Sequence, residues 1–396
     1  MMECLAIIPA RGGSKGIPHK NVYPLLGKPL LAYSIEQALS SKLISRVVVS
    51  TDDSEIAAVA QKYSAEVVWR PAEISGDTAS SESALLHTLD YLESTEAYQP
   101  DLLVFLQCTS PLTTVEDIDG TITVLLEKKA DSALSVIPFH YFLWRENENG
   151  DCIGINHNKR FRPLRQEREP QFLETGAVYA MRTRGFKEAK HRFFGKTVTY
   201  TMPAERRWEI DDPIDLVIAE MLLQHAQREN VLKAFPDSVS AVVLDFDGVF
   251  TDNKVLVFQD GQEAVLCDRG DGMGLSFLKE LSIPVWVLSS EANSVGKRRC
   301  EKLDIPCYHN LGLDKAGTLS RLIGEENIAP EQIVYMGNDI NDLACMNIVG
   351  CAVAVADAHP QVIRRADIVL KHRGGNGAIR ELCDILLDKL KRNVKE

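Results

Sequence analysis

Apolar and polar residues alternate along the chain in two kinds of pattern. Short apolar runs predict buried strands, and longer segments with apolar residues three or four positions apart predict helices. The predicted strands are 5–10, 46–50, 102–107, 133–137, 177–181, 241–245, 285–289, 333–336 and 351–355. The predicted helices are 29–41, 54–63, 80–92, 213 to about 232, 272–281 and 317–324. This alternation predicts an α/β fold in which helices cover both faces of parallel sheets.

The strand pattern restarts near the middle of the chain. The helix that begins at Pro213 is followed by the turn signal Pro236-Asp237-Ser238 and then by the apolar run 241–245. We therefore predict two tandem doubly wound parallel-sheet domains, residues 1–232 and 238–396. In such sheets ligands bind beyond the carboxyl ends of the strands, so polar loops at those ends are the first candidates for chemistry.

Composition narrows the classes of function. The chain has 396 residues, of which 45% are hydrophobic, and this fraction excludes a disordered protein. No apolar run approaches the roughly 20 residues of a membrane helix. The net charge of -12 argues against nucleic acid and anionic membranes as partners. Because no basic leader precedes the first strand, we expect a cytoplasmic protein that acts on small molecules. The 9 cysteines stand singly and are expected to be reduced thiols.

A glycine-rich loop follows the first predicted strand. In Arg11-Gly12-Gly13-Ser14-Lys15-Gly16 the glycines let the backbone approach an anion, and the N–H groups can surround a phosphate. Arg11, Lys15 and Lys20 add positive charge of the kind that a triphosphate needs. The loop has neither the dinucleotide nor the Walker fingerprint. Taken alone, it fits a triphosphate site or a solvated turn.

The wider run from Ile8 to Asn21 closely resembles the opening of the CMP-sialic acid synthetases, or acylneuraminate cytidylyltransferases. Further blocks resemble that family in the same order: Ser50-Thr51-Asp52, Arg70-Pro71-Ala72-Glu73, Asp77-Thr78-Ala79-Ser80-Ser81 and Leu106-Gln107-Cys108-Thr109-Ser110-Pro111. The resemblance covers about the first 220 residues, the size of one domain. It implies a Rossmann-like domain that transfers CMP from CTP to the anomeric hydroxyl of a sialic acid-type nonulosonate, with release of pyrophosphate.

The resemblance also implies roles for individual residues. The residues expected to bind CTP are Arg11, Ser14, Lys15, Lys20, Asn21, Arg70 and Ser81. Arg11 and Lys20 would hold the triphosphate, and Arg11 would also be catalytic because it neutralises charge. Asn21, Arg70 and Ser81 would recognise the cytidine. Gln107 would contact the acceptor sugar, and the Arg165 guanidinium would pair with its carboxylate.

Two acidic residues in Trp208-Glu209-Ile210-Asp211-Asp212 are candidate metal ligands. On an extended stretch Glu209 and Asp211 point to one face, and paired carboxylates with substrate phosphates suit Mg²⁺. The family usually has aspartate at both positions, so Glu209 departs from its pattern. Thr175 also departs, because sialic acid synthetases often have asparagine there. These differences leave the identity of the acceptor sugar open.

The second half carries a different set of motifs. Asp245-Phe246-Asp247 follows an apolar strand, and this spacing lets one carboxylate attack phosphorus while the other handles protons. Together with Ser289, Lys315 and the run Gly337-Asn338-Asp339-Ile340-Asn341-Asp342, it resembles the haloacid dehalogenase superfamily. It is most similar to the nearly capless branch that contains 3-deoxy-octulosonate 8-phosphate phosphatase.

This second resemblance implies a phosphatase. Asp245 would be the nucleophile and Asp247 the general acid and base. Ser289 would bond the transferring phosphoryl group, and Lys315 would neutralise its charge. Asp339 would bind Mg²⁺ together with Asp245 and the Asp247 carbonyl, supported by Asp342.

The sequence leaves two hypotheses for the whole chain. The first is a bifunctional enzyme whose phosphatase acts on the nonulosonate 9-phosphate, because that phosphate must be lost before activation by CTP. The second is a cytidylyltransferase only, since in vertebrate CMP-sialic acid synthetases a similar fused domain serves oligomerisation. The full catalytic set favours the first. Family analogy implies a homotetramer, and the acceptor is open among sialic acid, 3-deoxy-octulosonate, legionaminic acid and ketodeoxynonulosonate.

Overall fold

A computed structural model of the protein describes residues 2–13, 16–292 and 294–393. Its internal contacts divide the chain into two compact units, residues 1–225 and 226–396. The division falls inside the helix Pro213–Ala234. The domain limits 232 and 238 stay a prediction. Among the described residues, no helix is both long and apolar enough to cross a membrane.

The first unit is built on a large mixed sheet with strand order β11-β7-β10-β6-β1-β4-β5. The strands in this part of the chain are β1 (Cys4–Pro9), β2 (Pro24–Leu25), β3 (Lys28–Pro29), β4 (Arg46–Thr51), β5 (Glu66–Trp69), β6 (Leu102–Leu106), β7 (Ser132–Phe139), β8 (Trp144–Glu146), β9 (Cys152–Gly154), β10 (Gln171–Arg182) and β11 (Thr197–Thr201). The helices are α1 (Leu30–Ser40), α2 (Ser54–Lys62), α3 (Ser81–Glu96), α4 (Val115–Glu127), α5 (Thr183–Ala189) and α6 (Pro213–Ala234). The predicted doubly wound α/β architecture is confirmed.

Strand β1 shows why the sheet is covered on both faces. Its alternate residues Cys4, Ala6 and Ile8 belong to one apolar cluster, and Leu5 and Ile7 belong to another. Side chains alternate between the two faces of a strand, so a continuous apolar run requires a packing layer on each side. Residues of α1, α2 and α4 complete the first cluster, and residues of α3 complete the second.

One strand departs from the expected parallel arrangement. β10 runs antiparallel to both of its neighbours, β6 and β7. After β7 the chain makes an excursion over residues 140–170, which includes the β8–β9 hairpin, and then returns directly beside β7. Two neighbouring strands are parallel only when a crossover connection carries the chain back to the edge where the first strand began. Here the chain returns from the edge where β7 ends, so β7 and β10 are antiparallel. As a result, residues near the start of β10 lie at the edge where the parallel strands end.

The second unit contains a parallel sheet with strand order β16-β15-β12-β17-β18-β19. The strands are β12 (Ala241–Asp245), β13 (Leu256–Val257), β14 (Glu263–Ala264), β15 (Val285–Leu288), β16 (Cys307–Tyr308), β17 (Ile333–Gly337), β18 (Cys351–Ala354) and β19 (Ile368–Val369). The helices are α7 (Arg269–Glu280), α8 (Val295–Leu303), α9 (Lys315–Glu326), α10 (Leu343–Met346), α11 (Pro360–Arg365) and α12 (Ala378–Asn393). The adjacent strands β15, β12 and β17 end at the predicted catalytic motifs, which places those motifs at one edge.

Helices α7 and α12 pack closely in this unit, and a buried carboxyl lies at their contact. Asp271 in the first turn of α7 is 1% exposed, and its Oδ1 accepts a hydrogen bond from the backbone N–H of Arg380 at 2.9 Å. Its Oδ2 has no hydrogen-bond partner. Burial raises the pKa of Asp271 to about 6, although the N–H of Arg380 acts in the opposite direction. The ionised carboxylate is therefore a source of instability at neutral pH.

Asp271→Asn is expected to stabilise the second unit at neutral pH. Because the pKa is about 6 in the folded chain against an ordinary 3.8, the folded state retains a proton that the unfolded state releases. The free energy of unfolding therefore falls as pH rises between these values. Asparagine can still accept from Arg380 and cannot ionise, but its amide N–H groups would take the place of the unpartnered Oδ2, so the net gain at neutral pH should be on the order of 1 kcal/mol. Urea unfolding of both proteins at acidic and neutral pH measures this, and equal pH dependence would contradict it.

Candidate active sites

A cavity of about 320 Å³ opens in the first unit where its parallel strands end. It is lined by Pro9, Arg11, Lys20, Asn21, Arg70, Asp77, Ala79, Ser80, Ser81, Phe105, Gln107, Cys108, Thr109, Glu209 and Asp211. Most of the residues that the sequence indicates for CTP, sugar and metal binding are in this lining. Ser14 and Lys15 lie outside the described residues. Their roles stay predictions.

Two cations in the cavity are held by acidic neighbours. Arg11 Nη1 donates to the Gly76 carbonyl at 2.9 Å and lies 3.2 Å from Asp77 Oδ1. Lys20 Nζ donates to the Ile210 carbonyl at 2.7 Å and lies 3.2 Å from Asp211 Oδ1. The Lys20 side chain is 14% exposed. A triphosphate in this cavity would offer both cations charge-assisted bonds of the kind their carboxylate partners now make.

Two of the three residues predicted to recognise cytidine are held in place by hydrogen bonds to neighbouring groups. Asn21 is 5% exposed, and its amide donates to the Arg11 carbonyl at 2.9 Å and accepts from Cys108 Sγ at 3.1 Å. Arg70 donates to the Ser50 carbonyl at 2.7 Å. Burial lowers the pKa of the Arg70 guanidinium. Side chains locked by such contacts present one hydrogen-bonding pattern, which recognition of a base requires.

Glu209 lies among hydrogen-bond donors at the cavity wall. Its Oε1 accepts from Gln107 Nε2 at 2.5 Å and from Thr109 Oγ1 at 2.9 Å. Burial raises the pKa of Glu209, and the nearby Asp211 raises it further. The glutamate side chain is longer than the aspartate that the family usually has at this position. Glu209, a candidate metal ligand, is therefore hydrogen-bonded to Gln107, the candidate sugar contact. Thr175 is buried and bonds Ser135 rather than facing the cavity.

The close approach of Gly176 to this pair yields a stability prediction. At φ +73 a Cβ on Gly176 would lie 3.0 Å from Glu209 Oε2 and 3.1 Å from Gln107 Oε1. We expect Gly176→Ala to destabilise the protein by about 1–3 kcal/mol and to weaken sugar binding, because it combines backbone strain with displacement of Gln107.

Gly27 supplies a matched control for this substitution. It has φ +78, but a Cβ there would meet no atom within 4 Å. Gly27→Ala should therefore show the backbone strain alone, with an unchanged KM for the sugar. Denaturant unfolding and steady-state kinetics separate the two effects, and identical kinetics for both variants would contradict the role given to Gly176.

Arg165 is not in the lining of the cavity. It lies in the short helical turn Arg165–Glu167 of the 140–170 excursion and is exposed. The neighbouring Arg168 instead donates to the His140 carbonyl at 2.6 Å, and its guanidinium lies over the Phe142 ring. The structure of a single chain therefore does not bring Arg165 to the other candidate sugar contacts.

In the second unit, three buried charges meet where β12 and β17 end. Lys315 Nζ lies 2.7 Å from Asp245 Oδ1 and 2.8 Å from Asp342 Oδ1, and Tyr335 donates to Asp342 at 2.7 Å. Lys315 and Asp342 are 0% exposed and Asp245 is 4% exposed. Burial, together with Asp342, raises the pKa of Asp245 despite Lys315. One ammonium between two carboxylates leaves a negative charge that a further cation would stabilise.

Asp247 and Ser289 lie together beside this group. Ser289 Oγ donates to Asp247 Oδ2 at 3.4 Å. Burial raises the pKa of Asp247, as does the nearby Glu291, while Ser289 opposes the change. A carboxyl with a raised pKa keeps its proton to a higher pH than an ordinary aspartate does, which suits a general acid.

Asn338 is a residue that the sequence reasoning missed. Its side-chain amide lies 3.0 Å from Asp245 Oδ2 and 2.8 Å from the Asp247 carbonyl, and it donates to both when its nitrogen faces them. Asp339 is exposed and accepts from the N–H of Ile340. The signal was available in Gly337-Asn338-Asp339, because the residue directly after a buried strand end lies nearest to the neighbouring strand ends.

The described residues contain no group of three or more His, Cys, Asp or Glu side chains suited to hold a metal. The donor set at Asp245 is of another kind. One carboxylate oxygen, the Asp247 carbonyl and the Asn338 amide converge there, and with its oxygen turned inward Asn338 completes a set of oxygens. Oxygen donors with few carboxylates and open positions fit Mg²⁺, which keeps several waters.

Comparison with known proteins assigns the two parts of the chain. The family model described as cytidylyltransferase matches residues 5–235, and that described as haloacid dehalogenase-like hydrolase matches residues 308–382. N-acylneuraminate cytidylyltransferase A of Danio rerio is 31% identical over 98% of this chain and 90% of its own length. Pseudaminic acid cytidylyltransferase of Campylobacter jejuni is 32% identical over 56% of this chain and 96% of its own.

Among solved structures, a similar one is the 3-deoxy-D-manno-octulosonate 8-phosphate phosphatase of Moraxella catarrhalis in complex with magnesium ion, phosphate ion and KDO. It is 26% identical, covers 42% of this chain and 95% of its own, and has a TM-score of 0.39. The cytidylyltransferase family model matches more than half of the chain, and the Danio rerio relative matches nearly all of it. The chain therefore belongs to the cytidylyltransferase family, as a nucleotidyltransferase of the N-acylneuraminate type that also carries a haloacid dehalogenase-like hydrolase domain.

Proposed function

We propose that the chain performs two consecutive reactions. Its second unit removes phosphate from a nonulosonate 9-phosphate, and its first unit transfers CMP from CTP to the anomeric hydroxyl of the resulting sialic acid-type sugar. The observation that supports the first activity is the intact group Asp245, Asp247, Ser289 and Lys315 at one sheet edge. The cavity that gathers Arg11, Lys20 and Gln107 supports the second.

In the cytidylyl transfer the chain acts mainly by position and charge. Arg11 and Lys20 neutralise the triphosphate as pyrophosphate leaves the α-phosphorus. Asn21 and Arg70 hold the cytidine, and Gln107 orients the sugar so that its anomeric oxygen lies in line with the bond that breaks. Arg165 lies outside this cavity, so its pairing with the sugar carboxylate stays a prediction from the sequence.

In the phosphatase, Asp245 attacks phosphorus and forms an aspartyl-phosphate while Asp247 protonates the leaving sugar hydroxyl. Asp247 then takes a proton from the water that cleaves the acyl phosphate. Lys315 stabilises the charge that develops near Asp245, and Ser289 bonds a phosphoryl oxygen.

Both reactions are proposed to require Mg²⁺. In the first unit Glu209 and Asp211 would hold it. In the second, Asp245, the Asp247 carbonyl and Asn338 or Asp339 would do so. The ion would supply electrostatic stabilisation of the phosphoryl oxygens.

A second candidate function for the C-terminal unit is assembly, as part of a cytoplasmic homotetramer. The β13–β14 hairpin favours it, because Leu256 and Val257 are each 61% exposed. Exposed apolar patches of this kind mark interaction sites. Assembly and catalysis do not exclude each other. Sedimentation of a Leu256→Ser variant tests assembly independently of the enzyme assays.

The proposed function is tested by product release with and without Mg²⁺. Pyrophosphate is measured with CTP and each of N-acetylneuraminate, pseudaminate and 3-deoxy-octulosonate. Phosphate is measured from N-acetylneuraminate 9-phosphate and from 3-deoxy-octulosonate 8-phosphate. Release of both products with the nonulosonates supports two activities. Pyrophosphate release without phosphate release from either ester supports the assembly role alone.

A further inference from the structure

A buried thiol lies in the wall of the cavity in the first unit. Cys108 lines this cavity and is 4% exposed. Its Sγ lies 3.1 Å from Asn21 Oδ1, and the thiol donates a hydrogen bond to this amide oxygen. Asn21 also lines the cavity and is one of the residues predicted to recognise cytidine. The thiol is therefore in direct contact with a candidate nucleotide-binding side chain.

Three segments of the chain bring these groups together. Cys108 follows strand β6 by two residues, and Arg11 follows the neighbouring strand β1 by two residues. Asn21 lies in the short helical turn Lys20–Val22. Its Nδ2 donates to the Arg11 carbonyl at 2.9 Å, while its Oδ1 accepts from Cys108. The amide is thus held at both of its ends by loops that follow adjacent strands.

These two contacts define the orientation of the Asn21 amide. A half-turn of the amide exchanges its donor and its acceptor. In the reversed orientation the amide oxygen would face the Arg11 carbonyl oxygen, which is repulsive, and the Cys108 thiol would lose its acceptor. The observed orientation leaves one N–H and one oxygen lone pair of Asn21 for a ligand. A nucleoside in the cavity therefore meets a donor and an acceptor whose positions are fixed.

The thiol can donate only while it keeps its proton. Burial raises the pKa of Cys108 to about 12, although the Lys20 ammonium acts in the opposite direction. At neutral pH Cys108 is therefore a neutral S–H group, which is a hydrogen-bond donor. Because the thiolate is the nucleophilic form and a buried, protonated thiol is inert, these properties suit a positioning role and not a chemical one.

We propose that Cys108 is a positioning residue for nucleotide binding. Its S–H group holds the Asn21 amide so that the remaining donor and acceptor are fixed before CTP arrives. This role rests on the cytidylyl transfer proposed above, with Asn21 as a contact of the nucleoside. A preorganised side chain strengthens binding because less freedom is lost when the ligand arrives. The nucleoside does not react, so the contact acts equally on the bound substrate and the transition state. Its loss should therefore change KM and leave kcat unchanged.

The test measures CTP binding by equilibrium dialysis and pyrophosphate release, both on the full chain. Cys108→Ala should raise Kd and KM for CTP about threefold to tenfold, the effect of one lost hydrogen bond, with kcat unchanged. Cys108→Ser keeps a hydroxyl donor and should restore most of the affinity. Native affinity in Cys108→Ala, or the same loss of affinity in both variants, would overturn the proposal.

Cys4 supplies a matched control for the loss of a buried thiol. Cys4 is 0% exposed and belongs to the same apolar cluster as Cys108, but it is not in the lining of the cavity. Cys4→Ala should therefore show the cost of lost packing alone and bind CTP like the native chain. An equal loss of CTP affinity in Cys4→Ala would make the effect one of packing and overturn the positioning role.

A double-mutant cycle separates the contact with Asn21 from any other effect of Cys108. In the Asn21→Ala background no amide is left to position, so adding Cys108→Ala should leave Kd for CTP unchanged. Losses of affinity that simply add in the double variant would contradict the proposal.

A vibrational measurement tests the hydrogen bond independently of activity. The Raman S–H stretching band of Cys108 is identified by the difference between the native chain and Cys108→Ala. It should shift to higher frequency in Asn21→Ala, because donation of a hydrogen bond weakens the S–H bond. An unshifted band would refute the contact itself. A chain that shows the shift but binds no CTP would refute the proposed cytidylyl transfer, and the positioning role with it.

Discussion

Asp245→Asn should reduce phosphate release by at least about 10³-fold, because loss of a nucleophile removes the covalent step itself. Asparagine keeps the shape of the side chain and can still accept a hydrogen bond from Lys315, which retains Asp342 as its ionic partner at 2.8 Å. The unit should therefore fold. CMP transfer should continue at the native rate, since the cavity of the first unit does not include this residue.

The measurement compares phosphate and pyrophosphate release by the same preparation. Asp260→Asn is the matched control, because Asp260 is an exposed aspartate in a turn whose contact is with the N–H of Gln262. This control should retain both activities. Equal loss of both activities in Asp245→Asn would contradict two independent sites, and retained phosphate release would exclude Asp245 as the nucleophile.

Arg11→Ala should have the opposite effect. We expect kcat/KM for CTP to fall about 10²-fold or more, the size of effect seen when one donor to a developing charge is removed. Arg11 is anchored on the Gly76 carbonyl at 2.9 Å, so its guanidinium is held beside the cavity before the nucleotide arrives. Phosphate release by the second unit should not change.

Two further substitutions interpret that result. Arg11→Lys retains the charge without the planar fork and should recover only part of the loss. Arg184→Ala removes an arginine whose side chain is 94% exposed and paired with Glu188, and it should leave CTP kinetics unchanged. Full CMP transfer by Arg11→Ala would remove this residue from the triphosphate site.

The sequence predicts the parts of this protein that repeat a local rule. Strand Ala241–Asp245 occurs at its predicted limits because four consecutive apolar residues lead directly into the charged Asp245. The start of helix α2 is predictable in the same way, because Asp53 caps the helix by accepting hydrogen bonds from the N–H groups of Glu55 and Ile56. Long apolar runs and capping residues carry their information within a few positions.

Features that depend on distant residues were not predictable in this way. The strand within Gln171–Arg182 was expected, but its antiparallel direction depends on where a thirty-residue excursion returns. Strand β16 has only two residues, too few for a pattern. The sequence shows that Asn338 follows a strand end, but its contact with Asp245 and Asp247 also requires β17 to lie beside β12, and that order depends on distant residues.

The buried group of Lys315, Asp245 and Asp342 has a consequence for how such a domain could lose its activity during evolution. Removing Lys315, the ammonium of this group, would leave two buried carboxylates without their cation and destabilise the fold by about 3–5 kcal/mol. Selection for a folded domain would therefore preserve this lysine even after catalysis had become dispensable. Asp247 is only partly buried and, among the described residues, carries no such ion pair, so it could be replaced with a smaller loss of stability. In related chains, the residue at the position of Asp247 should distinguish an active phosphatase domain from one that has lost its activity, whereas the buried lysine should be present in both.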